Sequence, residues 1–400
     1  MGWELNKKIS VGASIMIAAM TAAVTITVTI VVMLRVFNGQ IADFSRRAGE
    51  FKKLETVDSI IRNNYIGKVD ETQLNDDLVS GYMKGIGDKY GTYLDADSYN
   101  RIQLENEGKT TGIGVNVVEN GDGYIQVVMV VDGSPAKSAG VQAGDVITQI
   151  GGQDVKSMGY TASVNLLKGS VGSTVSFTVL RDSKSIPLSI VRKTFETKTV
   201  QTRMIGDVGY VRIYEFDGNT SDQFSKGVDG LMNQGAKALV FDVRNNPGGV
   251  LDSVEKMIDK LVPEGPVVRA KYKDGVIRTL YKSDASQINL PMAVLTNQNT
   301  ASAAELFTAA LKDYGKAKSV GTKTYGKGTM QKIIPLNDGT ALDLSVAYFY
   351  PPRSDNFEGK GVSPDISVEL STDKQSRLYS LSDSEDDQLQ AALSYLKTAR

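Results

Sequence analysis

Residues Val11 to Leu34, VGASIMIAAMTAAVTITVTIVVML, carry no charged side chain, and this run limits the architecture more tightly than any other stretch. At about 1.5 Å rise per residue it covers about 36 Å as a helix, enough to cross about 30 Å of hydrocarbon with some tilt. A globular core helix is rarely apolar all round over such a length. A secretory signal is the closer competitor, yet the run outlasts an ordinary signal core, and Ala22 and Ala23 fall in its middle. The expectation is an uncleaved single-pass anchor in the cell membrane, residues 1–36 forming a cytoplasmic stub and membrane helix. Lys7 and Lys8 precede the run while Arg35, Arg46 and Arg47 follow it, so the positive-inside rule alone leaves the orientation open. The absence of cysteine suits a body outside the cytoplasm.

The rest is long enough for two or three domains with their own cores. Residues 40–108 read as a helical arm. Phe51, Leu54, Val57, Ile60 and Ile61 fall at helical spacing, and Asp70 is placed to cap a second helix carrying Leu74, Leu78 and Met83. A packing arm is the plain reading; a homodimer through it is a further expectation. With 45 basic and 46 acidic residues the net charge is −1, so no global field favours nucleic acid as a partner.

Residues 109–195 form a second unit. Gly112-Ile113-Gly114-Val115 opens a strand, Asn120-Gly121-Asp122-Gly123 is a turn, and Ser134-Pro135-Ala136 starts a short helix. Ala143-Gly144-Asp145-Val146-Ile147 enters another strand, Tyr160 to Leu167 is helical, and Thr174 to Leu180 is a closing strand. In this order the segments GIGV, SPAKSAGVQAGDVITQIGG and LLKGSVGS resemble a PDZ domain. The resemblance implies that Gly112, Ile113, Gly114 and Val115 form a carboxylate-binding loop, whose N–H groups hold a peptide's carboxyl terminus while the peptide adds as a strand. Lys168 stands where similar processing peptidases carry an arginine, and it offers a point charge in place of a planar fork.

From 196 to 372 strands and helices alternate, which argues for a sheet with helices packed on it. The strand Ala238 to Val243 runs into Arg244-Asn245-Asn246-Pro247-Gly248-Gly249, and a helix follows. At this joint the N–H groups of Gly248 and Gly249 can be free to bind an anion, although a tight turn needs the same residues. A second joint places Ser302 at a helix start, where serine ordinarily serves as an N-cap. Lys327 lies between Gly326 and Gly328, with Gln331 four residues on. Backbone packed close on both sides would desolvate that amine and lower its pKa, whereas a lone Gly-Lys-Gly is ordinarily a solvated hairpin. The residues 373–400 end in a segment with Leu389, Ala392, Leu393 and Leu396 on one helical face, read as a packing or frayed terminus.

Composition narrows the chemistry. The chain has no histidine and no cysteine, which removes imidazole bases, thiolate nucleophiles and the common zinc sites. No metal site or cofactor is expected. A hydrolase built from this chain must take its base from Lys, Asp, Glu or Tyr. Ser-x-x-Lys occurs four times, at Ser134, Ser253, Ser371 and Ser394, too often to mark a site.

The segments FDVRNNPGG at 241–249, NTASAAE at 299–305 and GTKTYGKGTMQ at 321–331 together resemble the carboxy-terminal processing peptidases, the tail-specific serine proteases of the S41 type. That resemblance spans about residues 50 to 370. It implies an α/β multidomain chain made of a transmembrane helix, a helical arm, a PDZ domain and an α/β catalytic core. It also implies Ser302 as nucleophile, Lys327 as general base and Gln331 as its partner. Ala303 with Gly248 or Gly249 would donate the oxyanion-hole N–H groups, and Asp313 would give structural support. Substrate proteins would then be cut near or at their carboxyl termini. The alternative is an inactive or latent relative whose PDZ unit binds carboxyl termini without turnover.

Overall fold

The computed structural model describes residues 10–399, without side chains at 36–48 and 50. Lys7 and Lys8 lie outside the described residues, as do the side chains of Arg46 and Arg47. The chain divides into two compact units, 1–77 and 78–400.

In the first unit Val11–Asn64 is a single helix, and the Ser10 side chain accepts the Ala13 N–H at 3.3 Å. The apolar run and the arm, expected as separate pieces, therefore form one rod. No proline interrupts it, and isolated glycines such as Gly39 and Gly49 cost only about 1 kcal/mol each. Among the described residues Val11–Arg35 is the one helical segment long and apolar enough to cross a membrane, and none of it is buried. The Thr21 and Thr27 hydroxyls donate to the carbonyls of Ile17 and Ala23, so neither is left unpaired on an apolar surface. At the far end Arg62 donates to both oxygens of Glu71, at 2.6 and 2.9 Å. Asp70 caps the next helix as expected, its Oδ1 accepting from the N–H groups of Thr72 and Gln73.

Among the described residues the second unit holds three larger sheets and one two-stranded ribbon. The central one has six strands in the order Val200–Ile205, Val208–Ile213, Ala238–Asp242, Met292–Thr296, Ala317–Gly321 and Ile366–Ser367. Only the first pair is antiparallel. Its inner strands are apolar on both faces because both faces are covered. Leu239, Phe241 and Val294 meet the helices Thr220–Asn233, Leu251–Asp259 and Ala303–Asp313. Val240, Ala293, Leu295 and Val320 face Leu389, Ala392 and Leu396 of the helix Asp387–Thr398. The terminal segment is thus a full layer of the domain rather than a frayed end.

A second, antiparallel sheet runs Thr92–Leu94, Ala341–Tyr350, Gly265–Tyr272 and Ile277–Ser283, with Thr329–Pro335 on the other side of the long strand. This corrects the helical reading of residues 40–108. The helix Glu71–Gly85 stops before Gly87 at φ +74°, and Thr92–Leu94 pairs with Ala341–Asp343. The β-prone side chains of Thr92 and Tyr93 suit that pairing.

The third sheet orders Val115–Glu119, Ile125–Val130, Val146–Ile150, Thr174–Arg181 and Lys184–Val191, around fully buried Ile125, Val127, Ile147 and Val179. A last hairpin strand, turning through Asp182 and Ser183 at positive φ, extends beyond the expected end at Leu180. Lys109–Gly112 pairs with Lys193–Glu196, so the segments entering and leaving this unit are zipped together.

Candidate active site

Both strand–turn–helix joints lie at the carboxyl ends of adjacent parallel strands, the customary crevice for ligands in such sheets. The Asn245–Gly249 turn is held rigidly. Asn246 is fully buried; its Nδ2 donates to the Ile213 carbonyl and its own carbonyl accepts the Ala301 N–H, both at 2.9 Å. Beneath it Arg244 donates to Asp242 and to Asp386, and Arg212 and the Tyr210 hydroxyl also reach Asp242. All these groups are buried. The two arginines hold the Asp242 carboxyl far below the usual range against the effect of burial.

Ser302 sits at the N-cap of the helix Ala303–Asp313, with φ +56° and ψ −118°, a conformation an L-residue rarely holds. Glu305 secures it. One oxygen, Oε2, accepts the N–H groups of Ser302 and of Lys327, each at 2.8 Å. The other, Oε1, accepts the Gly326 N–H at 2.7 Å and the Thr324 hydroxyl at 2.6 Å. A single buried carboxylate therefore ties the backbone of the serine to that of the lysine. The sequence reading missed this role, although Ser302-x-x-Glu305 is a capping-box pattern.

Gly248 packs against the serine. A Cβ added there would stand 2.8 Å from the Ser302 Cβ and 3.0 Å from the Ala303 nitrogen, and its φ is +105°. Only glycine fits. The expected pair of free N–H groups needs correction, because the Gly248 N–H donates to Asn246 Oδ1 at 2.9 Å. An asparagine two residues before a turn N–H commonly closes such a ring. Gly249, at φ +136°, is pressed against the Phe216 carbonyl and is exposed. Ala303 supplies the first N–H of its helix, which has no intrahelical acceptor.

Lys327 is half-buried, not a solvated hairpin residue. Its ammonium donates to Gln331 Oε1 and lies 4.9 Å from the Tyr90 ring centroid. Burial pushes its pKa below the usual lysine value, while Asp343, Glu358 and Asp88 pull the other way. Gln331 Nε2 donates to the Tyr90 carbonyl at 2.6 Å and to Asp343 Oδ2 at 2.9 Å. Asp88 accepts from the Ser345 N–H and hydroxyl, and Glu358 accepts from the Gly328 N–H and the Tyr90 hydroxyl. None of Tyr90, Asp88, Asp343 or Glu358 figured in the sequence reading. Asp313 lies apart from this cluster; its Oδ2 accepts from the Arg353 N–H, the Ser354 N–H and the Ser354 hydroxyl, fixing a loop.

The glycine loop of residues 112–115 leads into the third sheet. The Ile113 carbonyl accepts the Ala136 N–H, and the Gly114 carbonyl accepts the Val131 N–H and the Ser134 hydroxyl. In trans peptides this turns the N–H groups of Gly114 and Val115 to the side opposite those carbonyls. Val115–Glu119 is an edge strand, and the Tyr160 hydroxyl donates to its Val117 carbonyl at 3.1 Å. Lys168 is exposed at the end of the helix Tyr160–Leu167. The capping of that helix falls to buried Arg192, which donates to the carbonyls of Leu166 and Leu167.

Comparison with known proteins identifies the domains. The profile of peptidase family S41 matches residues 207–368, a PDZ domain matches 101–180, and the activating protease CtpB N-terminal domain matches 10–98. A "Probable CtpA-like serine protease" of Staphylococcus saprophyticus is 31% identical over 331 residues, covering 81% of this chain and 67% of that one. Another of the same description from Staphylococcus aureus strain N315 is 33% identical over 320 residues, covering 79% of this chain and 64% of that one. The solved photosystem II D1 C-terminal processing protease is 27% identical, with a TM-score of 0.50, over 81% of this chain and 89% of that one. The chain belongs to the S41 family of serine-type peptidases, among the carboxy-terminal processing proteases that carry a PDZ domain.

Proposed function

We propose that this chain is a membrane-anchored endopeptidase that cuts proteins near or at their carboxyl termini with a Ser302–Lys327 dyad. The observation that carries the reading is the shared Glu305 carboxylate, which ties the backbone N–H of a strained serine to that of a half-buried lysine. Neutral Lys327 takes the Ser302 proton as the oxygen attacks a peptide carbonyl, then delivers it to the leaving amine; water hydrolyses the acyl-enzyme by the same route. Gln331 orients the amine. Ala303 and a glycine of the 248–249 pair hold the oxyanion, each donor typically worth about 2.7–4 kcal/mol. Gly248 is the better placed of the two against Ser302, once its N–H leaves Asn246.

The N–H groups of Gly114 and Val115, turned away from the bonded carbonyls of Ile113 and Gly114, support capture of a substrate carboxylate by the PDZ unit. The unburied Val11–Arg35 helix supports the anchor, and the absence of cysteine suits a body outside the cytoplasm. Exposed Leu54, Val57 and Ile61 on the same rod support a second copy as partner. The test is labelling by a serine-reactive phosphonate. Wild type should label, and Ser302→Ala and Lys327→Ala should not; undiminished labelling in Ser302→Ala overturns the dyad. A latent enzyme is the second reading, favoured by the engaged Gly248 N–H, and it requires labelling to rise when a carboxyl-terminal peptide is added.

A further inference from the structure

Gln331 is fixed from three sides, and one of them is a carboxylate with no other partner. Asp343 lies on the strand Ala341–Tyr350, two residues from Ser345, which pairs with Gln331. Residues two apart share a face, so Asp343 is the diagonal neighbour of Gln331 across the ladder. An irregularity between Met330 and Gln331 shifts the register at that point, a common device for re-aiming a side chain next to a site. Asp343 Oδ2 accepts from Gln331 Nε2, whereas Oδ1 is buried and has no hydrogen-bond partner. A buried, unpaired carboxylate oxygen costs stability, and a structural role alone does not account for keeping it.

The amide geometry suggests its use. Gln331 Nε2 has two protons, and two pure acceptors take them, the Tyr90 carbonyl and the Asp343 carboxylate. The amide therefore cannot flip, and Oε1 must face Lys327. Building on the dyad, we propose that Asp343 is a positioning residue of the catalytic unit. It acts through Gln331 to aim the Lys327 amine, and its charge balances the ammonium formed when Lys327 takes the serine proton. The other groups facing this pair are Asp88, Tyr90 and Lys89 from the segment before Thr92–Leu94, and Glu358 from the loop beyond Tyr350. Lys332, next to Gln331, falls on the opposite face and is exposed. Asp88 and Glu358 are each bonded to backbone N–H groups; of the three carboxylates, Asp343 alone bonds the glutamine.

The test is the pH dependence of phosphonate labelling at Ser302 in full-length Asp343→Asn, Gln331→Ala and the double variant, with melting curves as a control for folding. Asp343→Asn should lower the plateau rate about 10- to 100-fold, less than the 10²–10⁴ carried by a general base itself. It should also move the rising limb toward acid, because an ammonium that loses a carboxylate neighbour deprotonates more easily. In the Gln331→Ala background Asp343→Asn should cost little more, since both act on one amine. Asp343→Glu should recover part of the rate. An unmoved limb in a folded Asp343→Asn protein, or losses that multiply in the double variant, overturns the inference while leaving the dyad intact. Wild-type labelling in Lys327→Ala overturns the dyad itself.

Discussion

Replacing Glu305 by glutamine tests how Ser302 is held. The carboxylate accepts four donors in a site closed to solvent. In the Gln variant the amide oxygen should keep the two most demanding ones, the Ser302 and Lys327 N–H groups. Its NH₂ then faces Thr324, whose hydroxyl can turn to accept, and the Gly326 N–H, which cannot. One unpaired buried donor costs about 1–3 kcal/mol, and two charge-assisted bonds becoming neutral lose about 1 kcal/mol each. Relief of the buried charge opposes this, since burial holds the Glu305 carboxyl above its usual pKa. The net expectation is about 3 kcal/mol, a large part of the roughly 5–15 kcal/mol that stabilises a typical domain. Glu305→Ala strands all four donors and should barely fold. Urea unfolding reads the stability as a shift in midpoint at constant slope. Phosphonate labelling under conditions where the Gln variant is folded should fall at least tenfold, because a neutral amide oxygen holds the positive φ of Ser302 more weakly and the Gly326 N–H is left unpaired. A Glu305→Gln protein within about 0.5 kcal/mol of wild type, labelling at the wild-type rate, would refute the bridging role.

Gly248→Ala should abolish labelling, because the new methyl would meet the Ser302 Cβ and the Ala301 carbonyl at a φ that disfavours alanine; normal labelling in that variant would rule out close packing at the turn. The labelling rate of wild type should rise with pH through a pKa below the ordinary lysine value and show no imidazole limb, since the base must be neutral to act and burial favours the neutral form; a limb that survives Lys327→Ala belongs to another group. Arg244→Met should cost about 3–5 kcal/mol in urea unfolding, because Asp386 is left buried without its cation and Asp242 keeps only Arg212; a change under 1 kcal/mol would show that the network is relaxed by water.

What could be read from the sequence was local. The strand–turn–helix joints, the glycines at 248–249 and the lysine between two glycines are each contained in a short window. Tyr90 and Asp88 are different. The Gln331–Tyr90 contact joins residues 241 apart, and Ser345–Asp88 joins residues 257 apart, so no periodicity could reveal them. Asp343 reads as one polar residue in an alternating strand until its neighbour is known. The hairpin Gly265–Ser283 had a visible signal in Asp274-Gly275 between β-rich runs, and the sequence reading passed over it. The layer formed by Asp387–Thr398 was legible as an amphipathic face, but which surface it covers depends on a sheet assembled from five distant segments.

The tie between Arg244 and Asp386 has a consequence in time. Synthesis runs from the amino to the carboxyl end, so Ser302 emerges before Lys327, and the Asp386 carboxylate that completes the Arg244 network comes later still. The face of the sheet covered by Leu389, Ala392 and Leu396 is bare until that helix arrives. Long-range closures of this kind are slow steps in folding. A nascent chain therefore carries Ser302 before Lys327 has emerged and before the Asn245–Gly249 turn is fully braced. The turn and the sheet face beneath it gain their full support only when the helix Asp387–Thr398 docks.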